Sequence, residues 1–261
     1  MSDTQERAQR LPPPNPKLIA IASGKGGVGK TWFAITLAHA LARQSGRILL
    51  FDGDLGLANV DIQLGLIPDR DLSEALTGRI SLREAVTHHA ETGFDVVTGR
   101  SGTGEMAVLP MPRVARLIGD LQALSQRYDR VVVDVGAGVD RSVQLLAAAS
   151  GRCLIVVTDE PTSLTDAYAL IKVALAGRDD RDIGIVVNMA ESRAKAEKTY
   201  ETLAKACRTF LDREPPLLGV VRRDQRVRDA IRAQMPLLAR SPSSDAAQDV
   251  EAIAARLTDP G

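Results

Sequence analysis

The sequence predicts a doubly wound α/β fold, in which helices pack on both faces of a mostly parallel sheet. Apolar runs rich in valine and isoleucine recur along the chain, and helical patterns separate most of them. These runs are almost continuously apolar, as parallel strands buried on both faces are. The 261 residues are 44% hydrophobic but only 3% aromatic, so we expect a large aliphatic core.

Seven apolar runs predict strands, and five of the segments between them predict helices. In chain order the strand runs are KLIAIA, RILLFD, FDVVTG, DRVVVDVG, CLIVVTD, DIGIVVN and PLLGVV. The helical patterns cover residues 31–43, 114–127, 142–149, 163–176 and 194–211. Ser163 is expected to cap the fourth of these helices, with Asp166 three residues further on. Because no repeat or linker interrupts the alternation, residues 17–261 are predicted to form one domain.

Three further segments flank or interrupt this pattern. Residues 1–16 end in PPPNP, which can neither continue a helix nor pair in the middle of a sheet, so they predict a flexible N-terminal arm. Residues 98–112 predict a long surface loop. Near the C-terminus, one helical face carries Ala246, Val250, Ile253 and Leu257 and the other face is mostly acidic. A membrane-binding helix should be basic with bulky apolar residues, so we expect this helix to pack on the domain and membrane binding to be weak.

Composition narrows the classes of function. Lysine plus arginine and aspartate plus glutamate number 33 each, which argues against a globally basic nucleic-acid-binding protein but leaves local patches open. Cys153 and Cys207 are isolated from each other, which favours a reducing, cytoplasmic compartment over a disulfide framework. The polar N-terminus does not resemble a secretory signal, and no apolar run is long enough to span a bilayer. His88 and His89 adjoin each other without the cysteines or carboxylates of a metal site.

A glycine-rich loop follows the first predicted strand and opens the first predicted helix. Its sequence, SGKGGVGKT, contains the phosphate-binding pattern G-x-x-x-x-G-K-[ST] in the context that this pattern requires. Backbone N–H groups and the helix N-terminus would face the phosphates, Lys30 would neutralise β- and γ-phosphate charge, and the Thr31 hydroxyl would hold Mg²⁺. The residues predicted to bind the nucleotide here are Gly24, Lys25, Gly26, Gly27, Val28, Gly29, Lys30, Thr31 and Trp32.

Aspartates follow two other predicted strands. Asp52 and Asp54 come at and just after the end of the second strand, and Asp134 ends a later strand. In open α/β sheets ligands bind outside the carboxyl ends of the strands, so these carboxylates should share a crevice with the phosphate loop. Asp134 is expected to hold Mg²⁺ through water, and Asp54 to orient the attacking water. A helix or turn cap is the alternative for each, and for Asp52 neither reading is preferred.

The motif KGGVGKT, with a lysine directly before the paired glycines, resembles the deviant Walker A motif of the MinD/ParA ATPase family. DGDLGLANVDIQLG is similar to that family's switch I and DVGAGV to its switch II, and the resemblance runs from about residue 17 to residue 239. It implies a P-loop ATPase domain that hydrolyses ATP slowly, as an ATP-dependent homodimer. Lys25 would reach the partner's ATP phosphates and act in catalysis with Lys30 and Asp54. The alternative for Lys25 is a solvated loop lysine.

Two positions concern the base of the nucleotide. Asn188 ends the run IGIVVN, and an asparagine carboxamide can pair with the N6/N7 edge of adenine. The resemblance implies that this residue reads the base, whereas the alternative is an ordinary asparagine at the end of a strand. After the next strand the family has a loop ending in Val-Pro, and this chain has Arg222 instead of the proline. The plane of an arginine could stack on adenine.

Three stretches are similar to the FlhG/FleN flagellar-number regulators of this family. They are TDEPTSLTDAYALIK, DLGLANVDIQLGL and VVTGRSGTGE. This resemblance implies control of flagellar number or placement. It also implies a partner such as a flagellar signal-recognition-type GTPase, a basal-body protein or a flagellar transcription regulator, met in the cytoplasm or at the periphery of the inner membrane or cell pole. The N-terminal TQERAQRL is only a degenerate match to the activating segment of that group.

Other functions stay open. A partition or positioning ATPase of the ParA/MinD type would bind DNA or a cell-division partner. An arginine-rich stretch could serve it, or could be a solvated surface offset by Asp224 and Asp229; its members are Arg222, Arg223, Arg226, Arg228, Arg232 and Arg240. A metal-cluster carrier of the same fold is disfavoured because such proteins need paired cysteines.

Overall fold

A single sheet runs through the computed structural model, which describes residues 13–44, 46–99, 110–176 and 181–258. In these residues the sheet has eight strands in the order β3-β4-β2-β5-β1-β6-β7-β8. Neighbouring strands pair in parallel except for β3 and β4, which are antiparallel. The strands are β1 (Asn15–Ser23), β2 (Ile48–Gly53), β3 (Thr87–His89), β4 (Phe94–Val97), β5 (Arg130–Ala137), β6 (Ser150–Val157), β7 (Asp182–Ala190) and β8 (Leu217–Arg222).

Helices cover both faces of this sheet and bury an aliphatic core on each. The described residues form α1 (Lys30–Arg43), α2 (Val60–Leu64), α3 (Leu72–Leu76), α4 (Met111–Ser125), α5 (Arg141–Ala149), α6 (Pro161–Leu175), α7 (Arg193–Leu211), α8 (Gln225–Arg232), α9 (Leu237–Arg240) and α10 (Asp245–Thr258). Side chains of α3 to α7 pack into one core cluster, and those of α1, α2, α8, α9 and α10 into the other. The predicted doubly wound α/β fold is confirmed.

All seven predicted strands are present, and the five predicted helices correspond to α1, α4, α5, α6 and α7. The predicted cap at Ser163 is wrong. Helix α6 begins at Pro161, preceded by Glu160, and Ser163 lies inside it, where its hydroxyl accepts a hydrogen bond from the Thr158 N–H (3.0 Å). Proline is favoured at the first helical position because an N–H there would have no partner in the helix, so the helix starts two residues early.

The boundary of the predicted N-terminal arm also differs. Strand β1 begins at Asn15 rather than at residue 17, because two hydrogen bonds of the Asn15 side chain fix this part of the backbone. Its Oδ1 accepts from the Lys17 N–H (2.9 Å), and its Nδ2 donates to the Ser125 hydroxyl (2.8 Å). Residues 1–12 of the predicted arm and 100–109 of the predicted loop lie outside the described residues, and α4 begins at Met111, inside that loop.

The C-terminal helix α10 packs on the domain, as predicted. Ala246, Val250 and Ile253 are almost completely buried, and Leu257 is 7% exposed. They join the same core cluster as α1, so α10 closes one face of the sheet. Among the residues described, no helix combines the length and the apolar character needed to cross a bilayer.

Candidate nucleotide-binding site

The phosphate loop has the backbone that its glycines predict. Gly27 and Gly29 have φ angles of 81° and 83°, a left-handed conformation that favours glycine. Gly24 needs its missing side chain for another reason, since a Cβ there would lie 2.2 Å from the backbone carbonyl carbon of Asp166 in α6. No side chain caps the N-terminus of α1 after Gly29. Its first N–H groups are therefore directed to the loop, where an anion can accept from them.

Lys30 and Asp134 form a buried ion pair at the base of this loop. The distance from Lys30 Nζ to Asp134 Oδ1 is 2.7 Å, and the two side chains are 7% and 1% exposed. Burial raises the pKa of Asp134, and the Lys30 ammonium and the Thr31 hydroxyl oppose that rise. Asp134 Oδ2 is buried and has no hydrogen-bond partner among the described residues. A carboxylate oxygen in this position, beside the Thr31 hydroxyl, fits a hydrated Mg²⁺ ion, which prefers oxygen ligands.

Asp52 and Asp54 have different environments although they are two residues apart. Asp52 is buried and accepts from the N–H groups of Asp54 (3.1 Å), Asn59 (3.2 Å) and Val60 (3.2 Å). Burial and the neighbouring charge of Asp134 raise the pKa of Asp52 to about 7. Of the two readings left open for Asp52, this geometry favours the structural one, because its oxygens bind the backbone between Asp54 and Val60, where α2 begins.

Asp54 lies at the mouth of the crevice. Its Oδ1 accepts from the Leu57 N–H (3.1 Å), and a Cβ on Gly136, the last buried residue of β5, would be 3.6 Å from that oxygen. The chain thus brings Asp54 to the strand that carries Asp134, with a carboxylate partly exposed to solvent. The Leu57 contact is a turn cap of the kind considered as the alternative for Asp54, while the partial exposure suits a group that orients water, so the catalytic role of Asp54 stays a prediction.

Asn188 borders the phosphate loop directly. It is buried at the end of β7, and its Nδ2 donates to the carbonyl of Val28 (2.8 Å). A Cβ on Gly29 would lie 2.6 Å from the same nitrogen, so the carboxamide and the loop are in contact. The structure therefore brings Asn188 to the nucleotide-binding loop, and base recognition by its carboxamide remains a prediction.

Lys25 is turned away from its own loop and toward α6. Its ammonium pairs with Glu160 Oε2 (2.5 Å) and donates to the Thr162 hydroxyl (2.8 Å). These two residues flank Pro161 at the start of α6 and were not predicted as site residues. The sequence does carry a signal for them. An acidic and a hydroxyl residue flank a proline that opens a helix directly after a strand, which places them at the same end of the sheet as the phosphate loop.

Arg222 is held by the C-terminal helix. Its Nε is 2.8 Å from Asp249 Oδ2, and its Nη1 is 2.9 Å from Asp245 Oδ1. No sequence pattern pointed to Asp249, since it lies on the acidic face of the amphipathic helix that was predicted to pack on the domain. Elsewhere in the arginine-rich stretch, Arg226 is 3.8 Å from Asp224.

Trp32 was predicted to bind the nucleotide, whereas His88 was judged to lack the pattern of a metal site. Trp32, the single tryptophan of the chain, is 5% exposed in the first turn of α1, and its Nε1 has no hydrogen-bond partner among the described residues. His88 pairs with Asp95 (2.8 Å) at the sheet edge. Within the described ranges no group of histidine, cysteine and carboxylate side chains is arranged to hold a metal ion.

Comparison with known proteins places the phosphate loop in a family. Residues 19–237 match the model of the CobQ/CobB/MinD/ParA nucleotide binding domain. The antiactivator FleN of Pseudomonas aeruginosa is 39% identical over 92% of this chain and 86% of its own length. The flagellum site-determining protein YlxH of Helicobacter pylori is 31% identical over 93% of this chain and 82% of its own length.

Solved structures agree on the architecture. The cell division ATPase MinD of Pyrococcus furiosus is 25% identical with a TM-score of 0.76, over 93% of this chain and 98% of that one. MinD of Pyrococcus horikoshii, solved with Mg-ADP, also has a TM-score of 0.76, at 22% identity over 94% of this chain and 97% of that one. At that identity the second likeness shows the fold alone.

Proposed function

The chain belongs to the family of CobQ/CobB/MinD/ParA nucleotide-binding domains, and from that premise we propose that it is an ATP-driven dimerisation switch. ATP favours a homodimer that binds a partner, and slow hydrolysis releases it. Its relatives FleN and YlxH support control of flagellar number or placement as the cellular role. The observation that carries the switch is Lys25, which is held on α6 by Glu160 and Thr162, outside its own phosphate loop.

The site residues divide the chemistry as follows. Loop amides and the N-terminus of α1 bind the phosphates, and Lys30 exchanges Asp134 for phosphate oxygens of similar charge. Thr31 and, through water, Asp134 would hold Mg²⁺, which would neutralise charge on the phosphates. Asp54 orients the attacking water from the mouth of the crevice. Lys25 leaves Glu160 and donates to the phosphates bound by the partner subunit, because a long flexible stem with a point charge suits such a reach.

Hydrolysis is tested with Asp54→Ala. This variant should bind ATP normally, turn it over very slowly and accumulate as a dimer, because only the positioning of water is removed. Lys30→Ala should lose tight ATP–Mg²⁺ binding in calorimetry, since a phosphate charge then lacks its buried partner. Asp69→Ala, an exposed aspartate outside the crevice, is the control and should behave as the wild type. Normal turnover by Asp54→Ala would remove Asp54 from this role.

Dimerisation is tested with Lys25→Ala. Binding of ATP by one subunit should survive, because Lys30 and the loop amides remain. ATP-dependent dimerisation and hydrolysis should fall together, because the charge across the interface is missing from both the dimer and the transition state. Sedimentation with a non-hydrolysable analogue and turnover measured against protein concentration provide the readout. A variant that still dimerises and keeps wild-type turnover would show that Lys25 does not act in the partner's site.

A groove between α6 and α7 is the surface we propose for the flagellar partner. It encloses a cavity of about 440 Å³, mostly apolar, between Leu164, Tyr168 and Phe210. Phe210 is 73% exposed and meets Tyr168 edge to face, with 6.4 Å between ring centres. Exposed aromatic groups of this kind favour protein interfaces. The groove also includes Pro161, next to Glu160, so it adjoins the residue that holds Lys25.

The groove is tested in the Asp54→Ala background, where the dimer accumulates. Adding Phe210→Ser should abolish binding of the purified flagellar signal-recognition-type GTPase and leave dimerisation unchanged. Ile67→Ser, which removes an isoleucine that is 93% exposed elsewhere, should leave both unchanged. Binding of duplex DNA that weakens steeply with salt would instead favour the partition-type alternative, through the arginine-rich stretch.

A further inference from the structure

Arg222 and Asn188 lie near the carboxyl ends of two neighbouring strands, at the end of the sheet where the phosphate loop begins. Strands β7 and β8 are parallel neighbours, and Arg222 pairs in register with Ala190, two residues beyond Asn188. The Arg223 N–H donates to the Ala190 carbonyl (2.8 Å), which fixes this end of β8. Asn188 touches the loop at Val28, and the strand register brings Arg222 to the same end of the sheet.

The edges of the Arg222 guanidinium are already bonded. Its Nε and Nη2 donate to the two oxygens of Asp249 (2.8 and 3.1 Å), and its Nη1 and Nη2 contact Asp245 Oδ1 and the Asp245 carbonyl (2.9 and 3.3 Å). A guanidinium has five N–H donors in one plane, and these contacts occupy four of them. One Nη1 N–H and the flat face of the guanidinium remain for a ligand, and the side chain is 28% exposed.

Asp249 holds this arrangement rigidly. Its side chain is 1% exposed and accepts four hydrogen bonds, two of them from the Arg222 side chain. The other two come from the Arg222 backbone N–H (3.0 Å) and from Arg193 Nη2 (2.7 Å). Arg193 begins α7 on one face of the sheet and Asp249 belongs to α10 on the other. The Asp249 carboxylate thus connects the helix layers on the two faces of the sheet, beside the outer edge of β8. It also binds both the backbone N–H and the side chain of Arg222.

We propose that Asp249 is a positioning residue for base recognition, which holds the Arg222 guanidinium as a flat surface on which the base stacks. This rests on the proposed binding of ATP. Stacking does not depend on which groups lie on the edge of a purine, so Asn188 alone distinguishes adenine from guanine. Asp249 therefore sets how tightly a purine nucleotide binds, and Asn188 sets which purine it is.

The experiment compares Asp249→Asn with Glu251→Gln by calorimetry. Both variants replace an acid of α10 by its amide, and Glu251 contacts Arg43 rather than Arg222. Asp249→Asn should lower the affinities for ATP and for GTP by the same factor, about tenfold, which is the effect expected for the loss of one stacked base. Its affinity for Mg²⁺ with inorganic tripolyphosphate, which has no base, should equal that of the wild type. Glu251→Gln should match the wild type for all three ligands.

Two further variants complete the test. Arg222→Lys keeps the positive charge beside Asp249 but removes the planar guanidinium. It should therefore lower the affinities for ATP and GTP without changing the ratio between them. Asn188→Ala should shift that ratio toward one. The positioning role would be overturned if Asp249→Asn lowered the affinities for tripolyphosphate and for ATP equally. It would also be overturned if Arg222→Lys left the ATP affinity unchanged. A wild-type protein that binds tripolyphosphate but no ATP would instead contradict the proposed function itself.

Discussion

At the scale of single residues, two lysines of one loop have opposite environments. Lys30 is buried against Asp134, while Lys25, five residues earlier, is paired at the surface with Glu160. The phosphate pattern predicts the first environment, because Lys30 follows the last glycine and enters the helix. The second depends on α6, whose start at Pro161 comes more than one hundred residues later in the chain, so the pattern of the loop itself does not predict it.

Removing the partner of Lys25 should strengthen the ATP-dependent dimer. Glu160→Gln removes the charge that pairs with Lys25 in the single subunit. Less interaction free energy is therefore lost when Lys25 moves to the phosphates of the other subunit. An ion pair this exposed contributes at most about 1 kcal/mol, and forming the homodimer breaks one in each subunit, so the dimer dissociation constant should fall by up to about thirtyfold. Sedimentation with a non-hydrolysable analogue measures it. Glu191→Gln, which loses the similarly exposed pair with Lys195, should leave the constant unchanged.

His39 should make stability depend on pH. It is 5% exposed in α1, and burial, then the charges of Arg43 and His89, lower its pKa to about 4. The unfolded chain binds a proton near pH 6.5, so between about pH 6.5 and 4 it binds more protons than the folded protein, and stability falls as pH falls. His39→Leu should reduce the loss of unfolding free energy between pH 7 and pH 5 in urea titrations. An unchanged loss would show that other groups cause it.

At the scale of elements, α6 is packed against the phosphate loop backbone to backbone. Gly24→Ala would place a methyl group 2.2 Å from the Asp166 carbonyl carbon, so helix or loop must move. We expect a loss of about 1–3 kcal/mol of unfolding free energy, the usual cost of overpacking. Gly26→Ala is the matched control, because nothing lies within 4 Å of its added Cβ and its φ is not positive. Equal stability of the two variants would contradict this close contact.

The elements also show where prediction from sequence succeeds. Long apolar runs such as DRVVVDVG identified β5 and its neighbours, because burial on both faces leaves an unbroken pattern. Strand β3 was missed, since it has three residues and contains His88 and His89. The cap at Ser163 was misplaced because Pro161 competes for the start of the helix. Asp249 could not be predicted, because its partners Arg193 and Arg222 meet it only through tertiary packing.

At the scale of the whole molecule, α10 is part of the core. Deleting residues 245–261 removes the buried side chains of Val250, Ile253 and Leu257, each worth about 1.5–3 kcal/mol, from a total stability of about 5–15 kcal/mol. The truncated protein should therefore unfold or lose most of its thermal stability. The full-length protein should float weakly with anionic liposomes. Strong ATP-dependent flotation of the full chain, lost in a truncated protein that melts normally, would identify α10 as a membrane anchor.

The place of β1 in the sheet has a consequence for the order of assembly during synthesis. β1 carries the phosphate loop and leaves the ribosome first, yet it lies between β5 and β6, where Leu18 pairs with Val131 and Ala22 with Ile155. Pairing across so long a stretch of chain is slow, because the intervening loop must first close. A nascent chain that stops before β6 holds a complete phosphate motif without one of the two strands that pair with β1. Nucleotide therefore reaches a formed pocket only after most of the chain has emerged.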